Sequence, residues 1–122
     1  MIDLKWISKV ESIIKLCAQA KMPVQVEKDT EPTGIDGQMN LGDIPMEKTG
    51  DVYDVELEVN LVFSTSRNDW KVLLSRISLL TQKLSNDQLH IIDGWTRIED
   101  ESKLIYSGNI IIKGILNPDI LV

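Results

Sequence analysis

Asp54, Glu56 and Glu58 stand at two-residue spacing in the stretch DVYDVELEVNLVFSTS, residues 51–66. A row of carboxylates is the donor set that a hard divalent cation prefers. The spacing argues against that use. Alternate residues of an extended strand share a face at steps of about 6–7 Å, too far apart to converge on one ion. The row, with Asp51 before it, is therefore expected to form a solvated polar face. The cluster Glu99–Asp100–Glu101 lies between two apolar runs and reads as a turn carrying solvated charge.

Other groups with reactive potential are isolated. His90 is the one histidine of the chain, and no nucleophile or ligand stands at a recognisable spacing from it. Cys17 is the one cysteine and falls on the apolar stripe of a helix, where a buried, inert thiol is expected. Gly34, Gly37 and Gly42 open no strand-to-helix turn, so they do not build a phosphate cradle. The signatures of nucleotide-binding loops, zinc hydrolases and paired-cysteine sites are missing from the sequence. Neither a catalytic residue nor a cofactor or metal site is expected.

The bulk numbers narrow the class further. A chain of 122 residues suits a single domain over 1–122 and removes roughly two-thirds of its unfolded surface from water on folding. With 43% hydrophobic and 26% charged residues, the composition is that of a folded domain. A net charge of −6 and a pI near 4.7 disfavour nucleic-acid binding through a broad basic patch. They leave open a surface past which DNA slides without sticking. One cysteine permits no internal disulfide, and no apolar run approaches the ~20 residues of a membrane span. The N-terminal stretch lacks the pattern of a secretory signal, so a cytosolic site of synthesis is expected.

The elements that position these residues follow from periodicity. Residues 3–20 read as an amphipathic helix with Trp6, Val10, Ile13, Ile14 and Cys17 on one stripe, capped by Asp3 and stopped by Pro23. Val24–Glu27 is a short strand. Residues 28–50 hold four of the seven glycines and two of the four prolines, without a period of 2 or 3.6. They are expected to form a long loop, a mobile or docking element anchored by Ile35, Met39, Leu41, Ile44 and Met46. Tyr53–Ser64 is a long strand with Tyr53, Val55, Leu57, Val59, Leu61 and Phe63 on its apolar side. A helix follows, capped by Ser66 or Asn68, with Trp70, Leu73, Leu74, Ile77, Leu80 and Leu84 on its stripe, and Asn86–Asp87 closes it. Two last strands flank the turn Glu99–Ser102, with Leu104, Tyr106, Ile110, Ile112 and Leu116 at one parity. Pro118 ends the second strand, and Ile120–Val122 forms a short apolar tail. The sum is an α+β fold: a mostly antiparallel sheet of about four strands with two helices on one face.

One mismatch of lengths bears on function. The strand Tyr53–Ser64 spans about 40 Å at ~3.3 Å per residue. The helix after it, residues 69–85, spans about 25 Å at ~1.5 Å per residue. Either the N-terminal helix covers the remainder of the apolar face, or the sheet projects from the core and a second subunit covers it.

The order of an N-terminal helix, a Pro/Gly-rich loop, the long alternating strand DVYDVELEVNLVFSTS, the Trp-led helix NDWKVLLSRISLLTQKL and the hairpin GWTRIEDESKLIYSGNIIIKG resembles the tail-terminator proteins of long-tailed bacteriophages. The resemblance spans most of the chain and is one of pattern, for the family has no short diagnostic motif. It implies a non-enzymatic virion protein that forms a hexameric ring on the tail tube. Such a ring ends tube polymerisation and offers a head-joining surface, and DNA passes through it without specific binding. It also implies tail-tube and head-completion proteins as partners, assembly in the bacterial cytoplasm and residence in the tail. On that reading Asp54, Glu56 and Glu58 face the lumen, while Tyr53, Val55, Phe63, Ile120 and Leu121 meet a neighbouring subunit. The loop anchors Ile35 to Met46 dock on the tube or neck. The alternatives are another head–tail neck protein, a small α+β ligand-binding or regulatory module, or an enzyme built around His90.

Overall fold

Alternation over residues 52–66 makes one long strand, and a second alternating run is long enough to pair with all of it. The computed structural model describes residues 5–27 and 35–116. Its elements are α1 (Lys5–Gln19), β1 (Gln25–Val26), β2 (Asp36–Leu41), β3 (Met46–Thr49), β4 (Val52–Ser66), α2 (Trp70–Asn86), β5 (Ile92–Ile98) and β6 (Lys103–Leu116). β4 and β6 run antiparallel through fourteen consecutive rungs, from Tyr53↔Leu116 to Ser66↔Lys103. The sheet order is β1-β2-β4-β6-β5, with β3 also on β4, and only the β1–β2 pair is parallel.

The architecture is thus α+β with two helices and a mostly antiparallel sheet of six strands, where about four were expected. The difference lies in residues 28–50. Residues 36–49 are not a loop: β2 pairs with β4 from Asp36↔Ser64 to Leu41↔Val59, and β3 from Met46↔Val55 to Thr49↔Val52. Between them the irregular 42–45 stays on β4 through Gly42 N–H to Glu58 O at 2.8 Å and Glu58 N–H to Asp43 O at 3.1 Å. Gly50, at φ 64°, turns this arm into β4. The residues 28–34 at the start of the expected loop lie outside the described residues.

The core lies between the helices and one face of the sheet. Val55, Leu57, Val59, Leu61 and Phe63 of β4 are buried with Ile13 and Cys17 of α1 and Leu73, Ile77, Leu80 and Leu84 of α2. At the same parity β6 contributes Leu104, Ile110 and Ile112, and its two glycines serve as sockets for indoles. A Cβ on Gly108 would stand 2.8 Å from the Trp95 ring, and one on Gly114 would collide with Trp6. Trp6 thereby carries α1 cover as far as the Val55↔Gly114 rung. The long apolar face is covered to that point within the chain itself. The Trp6 indole N–H is buried with no hydrogen-bond partner among the described residues.

Both helices end by the same device. Lys21 (φ 62°) and Gln88 (φ 61°) adopt the left-handed conformation. Met22 N–H then reaches Cys17 O at 2.9 Å, and Leu89 N–H reaches Leu84 O at 2.8 Å. These are the closing bonds of the Schellman motif. The apolar residue after each turn, Met22 or Leu89, is buried beneath it. The first helix therefore stops ahead of Pro23, by capping geometry. Asp87 closes α2 as expected, whereas the Asp3 cap, Pro118 and the tail 120–122 lie outside the described residues.

Two outcomes follow for stability. Gly114→Ala should cost about 1–3 kcal/mol in chemical denaturation by displacing Trp6. The cost should largely vanish in a Trp6→Leu background, and an undiminished cost there would reject the socket. Gln88→Gly should stabilise by about 1 kcal/mol, because glycine removes the left-handed penalty; a lower melting temperature would show that the Gln88 side chain contributes more than its backbone strain costs.

Candidate functional site

The helices cover one face of the sheet, so alternate residues of β4 and β6 compose a second face turned away from them. Along β4 this face carries Asp54, Glu56, Glu58, Asn60, Val62 and Ser64. Register places Glu47 and Ile115 beside Asp54, Lys113 beside Glu56, and Ile111 beside Glu58. One end of the face is therefore acidic, with Lys113 as its cationic border. Asp54 and Glu58 are exposed and Glu56 is half-buried. Asp54 accepts a hydrogen bond from Thr49 Oγ1 at 3.0 Å.

The middle of the face is an amide ladder. Gln38 donates to Asn40 Oδ1 at 3.0 Å, Asn40 to Asn60 Oδ1 at 3.1 Å, and Asn60 to Asn109 Oδ1 at 2.9 Å and Ser107 Oγ at 2.8 Å. The chain crosses β2, β4 and β6 in one direction and lines the middle of the face with polar, uncharged groups. Asparagine is a poor strand former, and this pairing offsets its preference for turns. Sequence reasoning missed the ladder, since the three asparagines are separated by 20 and 49 residues and meet only through register.

The other residues singled out from sequence divide cleanly. Phe63 and Val55 are core residues; Phe63 is wholly buried and has no surface to offer a neighbouring subunit. Tyr53 is half-buried against the core. Ile120 and Leu121 lie outside the described residues. Of the expected docking anchors, Met39 is buried and Ile35 packs against the core. Only Leu41, Ile44 and Met46 are exposed, at 44%, 49% and 53%. Trp70 and Leu74, expected on the apolar stripe of α2, are instead exposed; Lys71 Nζ lies 5.5 Å from the Trp70 ring. Trp95 is half-buried, donates to Thr81 Oγ1 at 2.9 Å and tilts against Phe63 at 5.9 Å.

The reactive groups stay apart. His90 is exposed and lines a groove with Lys9, Gln88, Ile92 and Lys113. Burial pushes the Cys17 thiol up to about 12, which removes its nucleophilic thiolate at neutral pH. Among the described residues no group of three His, Cys, Asp or Glu is placed to hold a metal ion. Among the described residues one carboxyl is displaced, and its role is structural. Asp100 is held below the ordinary aspartate value by the amide of Ser102, then by that of Lys103. It accepts both bonds at 2.9 Å and closes the β5–β6 turn, and its own carbonyl accepts from Arg67.

Folding lowers this pKa, so its contribution is complete above the unfolded value of about 3.9 and fades as pH falls through the folded one. Asp100→Ala should therefore lower the melting temperature at pH 7, by a gap that narrows below about pH 4. A gap constant from pH 7 to pH 2 would show that the turn does not depend on the carboxylate. Among known proteins, no family model matches the chain and no curated protein matches it, so the outer face, the exposed arm 41–49 and the groove beside His90 are candidate surfaces on their geometry alone.

Proposed function

We propose that this chain is a structural assembly protein of a long-tailed bacteriophage: a ring, with six subunits on the tail-terminator pattern, that caps the tail tube and provides the head-joining surface. The observation that carries the reading is the outer sheet face, free of helix cover along β4 and β6 among the described residues and lined at one end by Asp54, Glu56 and Glu58. A face of that kind suits the wall of a channel. Its carboxylates repel phosphate over a Debye length of about 8 Å at physiological salt. The amide ladder beside them offers no concentrated positive charge to hold DNA. Passage without adhesion follows.

On this reading the exposed Leu41, Ile44 and Met46 contact the tail tube or the head-completion protein, as rim residues with apolar surface to bury. Deleting the whole segment 36–49 would be a poor test, because Met39 would leave the core with it. No catalysis and no cofactor enter. Assembly takes place in the host cytoplasm, and the protein ends in the virion tail.

The test has two arms. Purified chain added to polymerising tail tubes should shorten and unify their lengths; tubes of unchanged length would overturn the terminator reading. In particles carrying Asp54→Asn, Glu56→Gln and Glu58→Gln together, rings should still form and DNA should leave several-fold more slowly. Unchanged ejection kinetics would overturn the lumen assignment.

A further inference from the structure

The sheet is open on both sides of the same stretch of β4. On one side β3 pairs with Val52–Val55 and has no further strand beyond it among the described residues. On the other, β5 accompanies β6 only as far as the Ile92↔Asn109 rung. Beyond that rung no described strand pairs with Ile110–Leu116 on the side away from β4. Those β6 residues lie opposite Tyr53–Val59, so the two free edges sit at one level of the sheet, across its three-stranded end. Each offers a row of backbone donors and acceptors of the kind that templates another strand.

The edges differ in charge. Residues 41–51 are exposed throughout and bring Asp43, Glu47 and Asp51 against a single Lys48. The β6 edge borders the groove lined by Lys9, His90 and Lys113, into which one carboxylate, Glu56, also faces. Each edge also exposes apolar surface: Ile44 and Met46 on the first, Ile92 at 43% and Ile115 at 59% on the second.

We infer that the β3 edge of one copy adds to the free β6 edge of the next, extending the sheet head to tail with Glu47 of one copy near Lys113 of the other. The alternative symmetric contacts, β6 on β6 or β3 on β3, would join two edges of the same net charge. Opposite charge therefore selects the heterologous contact. β3 and β6 both run antiparallel to β4, so with the outer faces of successive copies on one side, as a ring requires, the added strand lies parallel to β6. A heterologous contact yields a ring when its rotation closes and a filament when it does not. Edges at one level of the sheet favour a rotation with little rise. The contact deepens the ring reading and rests on it for closure alone.

The test uses the full chain and two variants, Glu47→Lys and Lys113→Glu, each checked to melt at the wild-type temperature. In sedimentation or mass photometry the wild type should associate with rising concentration. Each variant alone should associate roughly ten-fold more weakly, since a favourable pair becomes a repulsive one. An equimolar mixture of the two should associate as the wild type does. There the Glu47→Lys edge of one variant meets the Lys113→Glu edge of the other, and the unaltered Glu47 meets the unaltered Lys113. Amide exchange over 111–116 should slow on association. A monomer at every concentration, or association indifferent to both variants, overturns the edge contact. Six-membered rings that ignore the charge swap overturn the contact and spare the ring, whereas charge-dependent open filaments overturn the ring and spare the contact.

Discussion

The fourteen-rung pairing of β4 with β6 is the constraint from which the other features follow. Side chains alternate strictly along a strand, so a slip of one residue would exchange the two faces of the sheet over its whole length. With the register as it is, Val55 to Phe63 meet the helices and Asp54 to Ser64 meet water. The same register puts Gly108 and Gly114 on the core side, opposite Leu61 and Val55, where no Cβ stands in the way of Trp95 and Trp6. It also brings Asn60 to Asn109. Two indole sockets on one side and an amide ladder on the other depend on one alignment, and each penalises the alternatives.

Much of this was legible where the pattern is local. The alternation at 53–63, the four buried positions of α2 and the Glu99–Ser102 turn all rest on spacings of two to four residues, which a sequence displays directly. The arm 36–49 was not legible, for physical reasons that differ along it. In β2 only Met39 is a buried apolar side chain, while the buried Gly37 fits between the Pro23 carbonyl and the Phe63 ring. A residue without a side chain carries no hydropathy signal. β3 is exposed at all four positions and is held by its backbone pairing to β4, a term independent of side-chain type. Glycine and proline counts suggested a loop, yet Pro45 and Gly42 occupy the one interval where pairing is irregular.

The misreading of α2 has a different cause. A stripe at three- and four-residue spacing admitted Trp70 and Leu74, but the helix buries only Leu73, Ile77, Leu80 and Leu84. Those four span a narrow arc, because α2 shares the core face with α1 and contacts the sheet along a single line. Trp70 and Leu74 lie on the flank of that arc and keep about half and two-fifths of their surface. Sequence periodicity reports which side of a helix is apolar; the width of the buried seam is set by its neighbours.

The acidic end of the outer face can be reasoned about in the same terms. Asp54, Glu56 and Glu58 stand at steps of about 6–7 Å, each within one Debye length of the next, and Glu47 is directly opposite Asp54. A monomer gains nothing from this crowding. Lys113 relieves it only beside Glu56, and Thr49 supplies a hydrogen bond without a charge. The arrangement is tolerable because water screens it, and the strand could have carried Thr or Lys at these positions at no cost to the core. A function located on the face accounts for the carboxylates better than folding does. The proposed ring would give the face two uses. Repulsion of a polyanion would use the whole row, whereas attraction of a cationic edge would use only its border. On the proposed ring reading, Glu47 at the free rim and Asp54 to Glu58 inboard of it would serve both uses at once, the rim joining copies and the inner row facing what passes between them.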